Sequence, residues 1–260
     1  MSSWRFAAAL FGTNLRSSMA QRGSFALQAL FMVLNNVVFF IFWWVLLKQV
    51  PDLRGWQLPD VEVLFGVTAA SFGLVVAITG GVRHLGEYID EGAFDTLLTQ
   101  PRPTLLYALG TRSRASGFGD LVSGIGFLMA SGHLTLANAP LVVMVVLAGA
   151  ATFLGCGIVF FSLPFWLSRT ETTSRQLWDM LVTFSLYPEP LFGGALRFVL
   201  FTLLPAGFIS YLPVRIVRDP SMFEIALLVA GAAAYVAIGA WLFNRGLRRY
   251  ASGSRFVVFG

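Results

Sequence analysis

Four carboxylates crowd into nine residues of this chain: Glu87, Asp90, Glu91 and Asp95. They stand in the stretch Gly86-Glu-Tyr-Ile-Asp-Glu-Gly-Ala-Phe-Asp-Thr-Leu-Leu-Thr-Gln-Pro-Arg-Pro103. Ile89, Phe94, Leu97 and Leu98 give the stretch an apolar side, and Pro101 with Pro103 ends it sharply. A short amphipathic helix with an exposed aromatic ring and acidic groups suits docking onto another protein. The plainer alternative is a solvated loop folded back on the rest of the chain.

Other residue types that carry chemistry are poorly spaced for it. Lys48 is the only lysine and sits in Leu-Leu-Lys-Gln-Val. A Walker A loop needs a Gly-Lys pair, so no nucleotide site of that kind is present. His84 and His133 are far apart, with no carboxylate or thiol at metal-ligand spacing. No serine occupies a Gly-x-Ser-x-Gly elbow. The glycine-rich stretch 117–126 lacks dinucleotide-binding spacing and follows no strand. The single cysteine, Cys156, lies in an apolar run and reads as a packing residue. The expectation is a chain without catalytic, cofactor or metal residues of its own, and so not a self-contained enzyme.

Polar residues inside apolar runs are the next candidates. The clear apolar runs are expected to be free of the buried charges that a proton-coupled pump carries. The first run offers only Gln28, Asn35 and Asn36. Two adjacent asparagines near mid-bilayer cannot both face lipid cheaply. They read as lining for a substrate path or as a hydrogen-bonded contact between helices. Small residues four apart, Ala115/Gly119, Ala151/Gly155 and Ala230/Ala234, allow close helix approach, with packing inside one bundle the plainer use.

The elements that must position these residues are set by composition. Of the 260 residues, 57% are hydrophobic and only 12% are charged. An average soluble domain carries about twice that charge. The apolar residues also cluster in long runs, as they do when the solvent is lipid. A span needs about 20 apolar residues to cross about 30 Å of hydrocarbon. Runs at 25–47, 61–82, 116–134, 139–167 and 223–243 meet or nearly meet that length.

The stretch 177–217 is ambiguous, with prolines at 188, 190, 205 and 213. One reading is a short span over 177–191 followed by a segment at 192–215 that dips back into the membrane. The other is a span over about 191–211, which places Arg197 at membrane depth at a cost of several kcal/mol. That cost favours the first reading. Either gives an all-α integral membrane protein with six transmembrane helices in one transmembrane domain, 1–260.

Charge orients the spans. With the N-terminus inside, thirteen arginines fall on the inner side, against Lys48, Arg54, Arg197, Arg215 and Arg218 outside. Both termini are then cytoplasmic, and the net charge of +5 reflects topology rather than nucleic-acid binding. Trp43, Trp44, Trp166, Trp178 and Trp241 fall near span ends, where the headgroup layer suits an indole ring. Residues 4–22 read as an N-terminal interfacial helix, with Trp4, Ala8, Phe11, Leu15 and Met19 on a lipid-facing stripe.

Two stretches carry a family resemblance. Ile89-Asp-Glu-Gly-Ala-Phe-Asp-Thr-Leu-Leu-Thr-Gln-Pro101 resembles the coupling-helix motif of ABC-2 type exporter permeases. Tyr187-Pro-Glu-Pro-Leu-Phe-Gly-Gly-Ala-Leu-Arg, continuing to Pro-Ala-Gly-Phe-Ile-Ser-Tyr-Leu-Pro213, is similar to a signature of the "ABC-2 family transporter protein" branch. The resemblance implies a permease subunit in a bacterial plasma (inner) membrane. It implies a second permease, identical or paralogous, and two copies of a separate ABC ATPase that binds ATP and magnesium. By position, Glu91, Gly92, Phe94, Asp95, Leu98 and Pro101 would couple to the ATPase within a helix at 86–98. Pro188, Pro205 and Pro213 would shape the re-entrant region. The resemblance names no substrate. The rival reading is a secondary transporter or channel powered without an ATPase.

Overall fold

The computed structural model describes residues 3–90, 94, 103–167 and 170–250. The architecture is all-α, with no strand among the described residues. Helix α1 (Ser3–Ala20) leads directly into α2 (Arg22–Gln49), and α3 (Leu58–Ile78) follows a tight connection. A 3-10 turn (Gly80–His84), α4 (Leu85–Asp90) and α5 (Thr104–Leu109) precede α6 (Ser116–Ala130). Then come α7 (Ala139–Phe161), α8 (Glu171–Ser185), α9 (Gly194–Thr202), α10 (Leu212–Arg218) and α11 (Met222–Leu247).

The helices run between two ends. The end that holds α1, α4 and α5 is called proximal, the other distal. Phe25 stacks near Phe118 and Phe40 near Phe127, so α2 and α6 run in the same direction. Gly66 faces Gly124 and Gly73 faces Gly117, so α3 runs against α6. Ser174 Oγ donates to the Phe160 carbonyl, and Thr68 Oγ1 donates to the Ser185 carbonyl. Those bonds set α8 antiparallel to both α7 and α3.

Among the described residues four helices are long and apolar enough to cross a membrane: Arg22–Gln49, Leu58–Ile78, Ala139–Phe165 and Met222–Leu247. The sequence reading of these four runs agrees with the helices to within a few residues. The expected span 61–82 stops earlier because Gly80 and Gly81 press against the 108–112 backbone. A Cβ on Gly81 would stand 2.1 Å from the Ala108 carbonyl oxygen. Helices α6 and α8 have 15 residues each. At 1.5 Å per residue that is about 22 Å, less than the hydrocarbon thickness.

Helix α3 is the central element, buried along most of its length. Its seam with α6 is built from glycines on both sides. A Cβ on Gly73 would stand 2.6 Å from the Gly117 oxygen, and one on Gly124 would stand 2.5 Å from the Ala70 nitrogen. Backbone therefore meets backbone, the closest approach that two helices can make in lipid. Gly119 packs likewise on Ala29 of α2, and Gly155 on Tyr235 of α11. Ala230 and Ala234 remain exposed on α11.

Two tryptophans depart from the headgroup expectation. Trp43 and Trp178 are buried, and Trp178 sits among Phe72, Phe153 and Phe161 at the centre of the core. Helix α8 starts at Glu171, earlier than the expected 177, and its register turns the indole inward.

Helices α9 and α10 form a bent pair, with 77° between Gly194–Thr202 and Gly207–Arg218. Pro205 sits buried in the break, where the missing N–H makes a helix interruption cheap. Both feet of the pair stand at the distal end. Arg54 Nη1 donates to the Pro190 carbonyl beside one foot. Arg218 Nη1 donates to the Gly55 carbonyl, and it lies 3.3 Å from Asp60 Oδ2 at the other. Arg197 is paired with Glu189 at 2.6 Å, so its charge is met at the distal end.

Candidate coupling face and intramembrane polar cluster

Of the six residues expected to couple to an ATPase, Phe94 is described; Glu91, Gly92, Asp95, Leu98 and Pro101 lie outside the described residues. The expected helix at 86–98 is represented by α4, Leu85–Asp90. Phe94 corrects the expectation of an exposed ring. It is fully buried, with ring centroids 5.9 Å from Phe165, 5.9 Å from Phe243 and 5.6 Å from Tyr250. Leu85 and Ile89 are buried on the same side. Leu85, Ile89 and Phe94, the described apolar residues of this segment, thus face the chain's own core. Phe94 pins the segment to the proximal ends of α7 and α11.

The polar side is tied by local bonds. His84 Nδ1 lies 2.7 Å from Glu87 Oε2. The hydrogen bond from His84 holds the Glu87 carboxyl below its ordinary value. Tyr88 Oη lies 3.4 Å from Thr111 Oγ1, which links α4 to the turn after α5.

A second polar group lies within the bundle. Asn36 of α2 donates to Asp120 Oδ1 of α6 at 2.8 Å and to Ser123 Oγ at 2.8 Å. Asp120 is 3% exposed, and its Oδ2 has no hydrogen-bond partner among the described residues. This carboxyl corrects the expectation of charge-free spans. The sequence did carry the signal: an aspartate five residues into an apolar run. Asn36 thus makes a contact between helices, while Asn35 is exposed on α2.

The re-entrant prolines are all described and all buried. Pro188 precedes the turn Glu189–Leu191, Pro205 lies at the bend, and Pro213 sits in the first turn of α10, where a helix tolerates proline. The break frees backbone carbonyls at depth, and each needs a donor. Tyr235 Oη supplies one, donating to the Thr202 carbonyl at 2.8 Å. Ser210 Oγ donates to the Ala206 carbonyl at 3.0 Å.

A bundle of long apolar helices, a bent helix pair with both feet at one end and an anchored segment at the other define a multi-pass membrane permease. The model of the family described as "ABC-2 family transporter protein" matches residues 33–254, and the chain belongs to that family. No curated protein and no solved structure matches.

Proposed function

We propose that this chain is the membrane-spanning subunit of an ATP-driven exporter. Family membership over residues 33–254 carries the reading. The chain lacks a Gly-Lys nucleotide loop, so the energy would come from ATP bound with magnesium in a separate ABC ATPase, in two copies. In this reading the proximal end is cytoplasmic, both termini lie on that side, and the membrane is a bacterial plasma membrane. Six crossings then include the short helices α6 and α8.

Closure of the ATPases would press on the segment 86–98. Phe94 would pass that push to α7 and α11 through its aromatic cluster, in a two-state switch of access. The acidic residues Glu91 and Asp95, with Gly92, Leu98 and Pro101, would then meet the ATPase. A second permease, identical or paralogous, would lie against α2. That helix buries only Trp43 and Leu47 in its own chain and exposes Asn35, a polar group that lipid cannot satisfy. The test is purification from the native membrane in mild detergent. Recovery of an ABC ATPase with the permease is the expected result, and a preparation repeatedly free of any ATPase removes the reading.

Asp120 favours a second reading, a proton-coupled transporter. Buried intramembrane carboxyls are the usual proton carriers of such proteins. Substrate flux that survives ATP depletion but collapses with the proton gradient would select it.

A further inference from the structure

We infer that the proximal end holds a site for the phosphate headgroup of an anionic membrane lipid, centred on Arg112, Arg114 and Arg175. The three arginines line one cavity of about 470 Å³ together with His84, Asn14 and Thr111. Among the described residues no carboxylate lines it. Two of the nearby acids are already engaged: Glu171 meets Arg175 at 2.6 Å, and Glu87 meets His84 at 2.7 Å. Among the described residues, neither Arg112 nor Arg114 has an ion pair. Arg112 Nη1 instead lies 3.5 Å from His84 Nε2.

A fourth guanidinium adds to the excess. Burial, and then the repulsion of Arg114 and Arg175, pull Arg83 below its ordinary value, with Asp179 opposing them. Guanidinium groups held together in excess of the acids that meet them mark a place for an anion. Guanidinium forks match phosphate oxygens in geometry as well as charge.

The surroundings select a lipid over a soluble phosphate. A second cavity of about 500 Å³ shares Ser113 and Arg114 with the first and is lined by Gln21, Ser24 and Gln28 at the elbow between α1 and α2. Helix α1 is fixed beside it, where Leu10 rests on Gly110 and Asn14 Nδ2 donates to the Gly110 carbonyl. Around Gln28 the surface of α2 becomes apolar. Leu27, Leu30, Phe31 and Leu34 of α2 are all about half exposed or more. A polar, basic hollow beside the exposed apolar residues at the start of α2 fits a ligand with a charged head and acyl tails. Anionic headgroups add electrostatic attraction at such a surface. The inference is independent of what powers transport.

The test uses purified full-length protein in detergent and three probes: dioctanoyl phosphatidylglycerol, dioctanoyl phosphatidylcholine and inorganic phosphate. Near a hundredfold excess over Kd, phosphatidylglycerol should raise the melting temperature by roughly 5–10 °C. Phosphatidylcholine and phosphate should not. The variant R112Q/R114Q changes two exposed side chains, so it should fold and melt as the parent does without lipid, yet lose most of the shift. Native mass spectrometry should show the same loss of retained phosphatidylglycerol. An equal shift with phosphatidylcholine reduces the site to an acyl groove and overturns the inference. A shift with phosphate alone makes it a soluble-anion site and also overturns it. So does a variant that keeps its lipid but loses an ATPase partner, since the arginines would then serve a protein contact.

Discussion

Asn36 spends both amide hydrogens on α6, one on Asp120 Oδ1 and one on Ser123 Oγ, each at 2.8 Å. Ser123 in turn donates its hydroxyl to the Asp120 carbonyl at 3.1 Å. Asn36 thus joins two polar groups of α6 where lipid offers nothing, and Asp120 Oδ2 is left without a partner among the described residues.

Removing Asn36 alone should therefore cost more than removing both partners. Asn36→Leu leaves a buried carboxyl without its donor, at about 1–3 kcal/mol. The double variant N36L/D120L should recover much of that loss. Thermal unfolding of the four species of this cycle measures the coupling, and additive losses would show that the contact is idle.

The glycine seam should be intolerant of a single methyl group. Gly73→Ala forces a Cβ to within 2.6 Å of the Gly117 oxygen, and overpacking of that kind costs about 1–3 kcal/mol. Gly126 meets nothing within 4 Å, so Gly126→Ala on the same helix pair should be neutral or mildly stabilising. The melting temperature of Gly73→Ala should fall, while that of Gly126→Ala should hold or rise slightly.

Phe94→Ala should loosen the 86–103 segment before it loosens the bundle. The lost ring contacts with Phe165, Phe243 and Tyr250 belong to a large-to-small core change, worth about 3–5 kcal/mol in well-packed sites. Limited proteolysis should cut this segment faster, while the membrane-embedded fragments stay protected. In the exporter reading the partner ATPase should still hydrolyse ATP beside this variant, without substrate moving.

Acid should release α4. Glu87 is held below its ordinary value of 4.5 by His84, so its contribution is present above that value and is lost as pH falls through the lower folded one. Hydrogen exchange of α4 amides should accelerate across that acid window. Glu87→Gln should show weaker protection at neutral pH and little further change on acidification.

Tyr235→Phe should weaken the bend of the α9–α10 pair. It strips the donor from the Thr202 carbonyl and leaves an unsatisfied group at depth, at about 1–3 kcal/mol. Cysteine-accessibility labelling at Leu203 should rise in the variant.

Long apolar runs were legible because lipid demands them, and α2, α3, α7 and α11 follow those runs closely. Helix α8 was not legible in the same way. Its first turns carry Glu171, Arg175 and Asp179, so a search for apolar runs starts too late. The burial of Phe94 was hidden for another reason. Its neighbours come from Phe165, Phe243 and Tyr250, far along the chain, and amphipathic spacing cannot say which surface an apolar side will meet. The seam between α3 and α6 was recoverable. Gly66 and Gly73 repeat with the same seven-residue interval as Gly117 and Gly124, a match that four-residue pairs miss.

The bent pair has a topological corollary. A detour that leaves and returns through one surface does not alter the parity of the thread. Helix α8 arrives at the distal end and α11 departs from it, whatever happens between them. The intervening loop of chain is therefore free to grow, shrink or be exchanged without inverting the final helix. Its length and sequence can change while the rest of the scaffold keeps its handed arrangement.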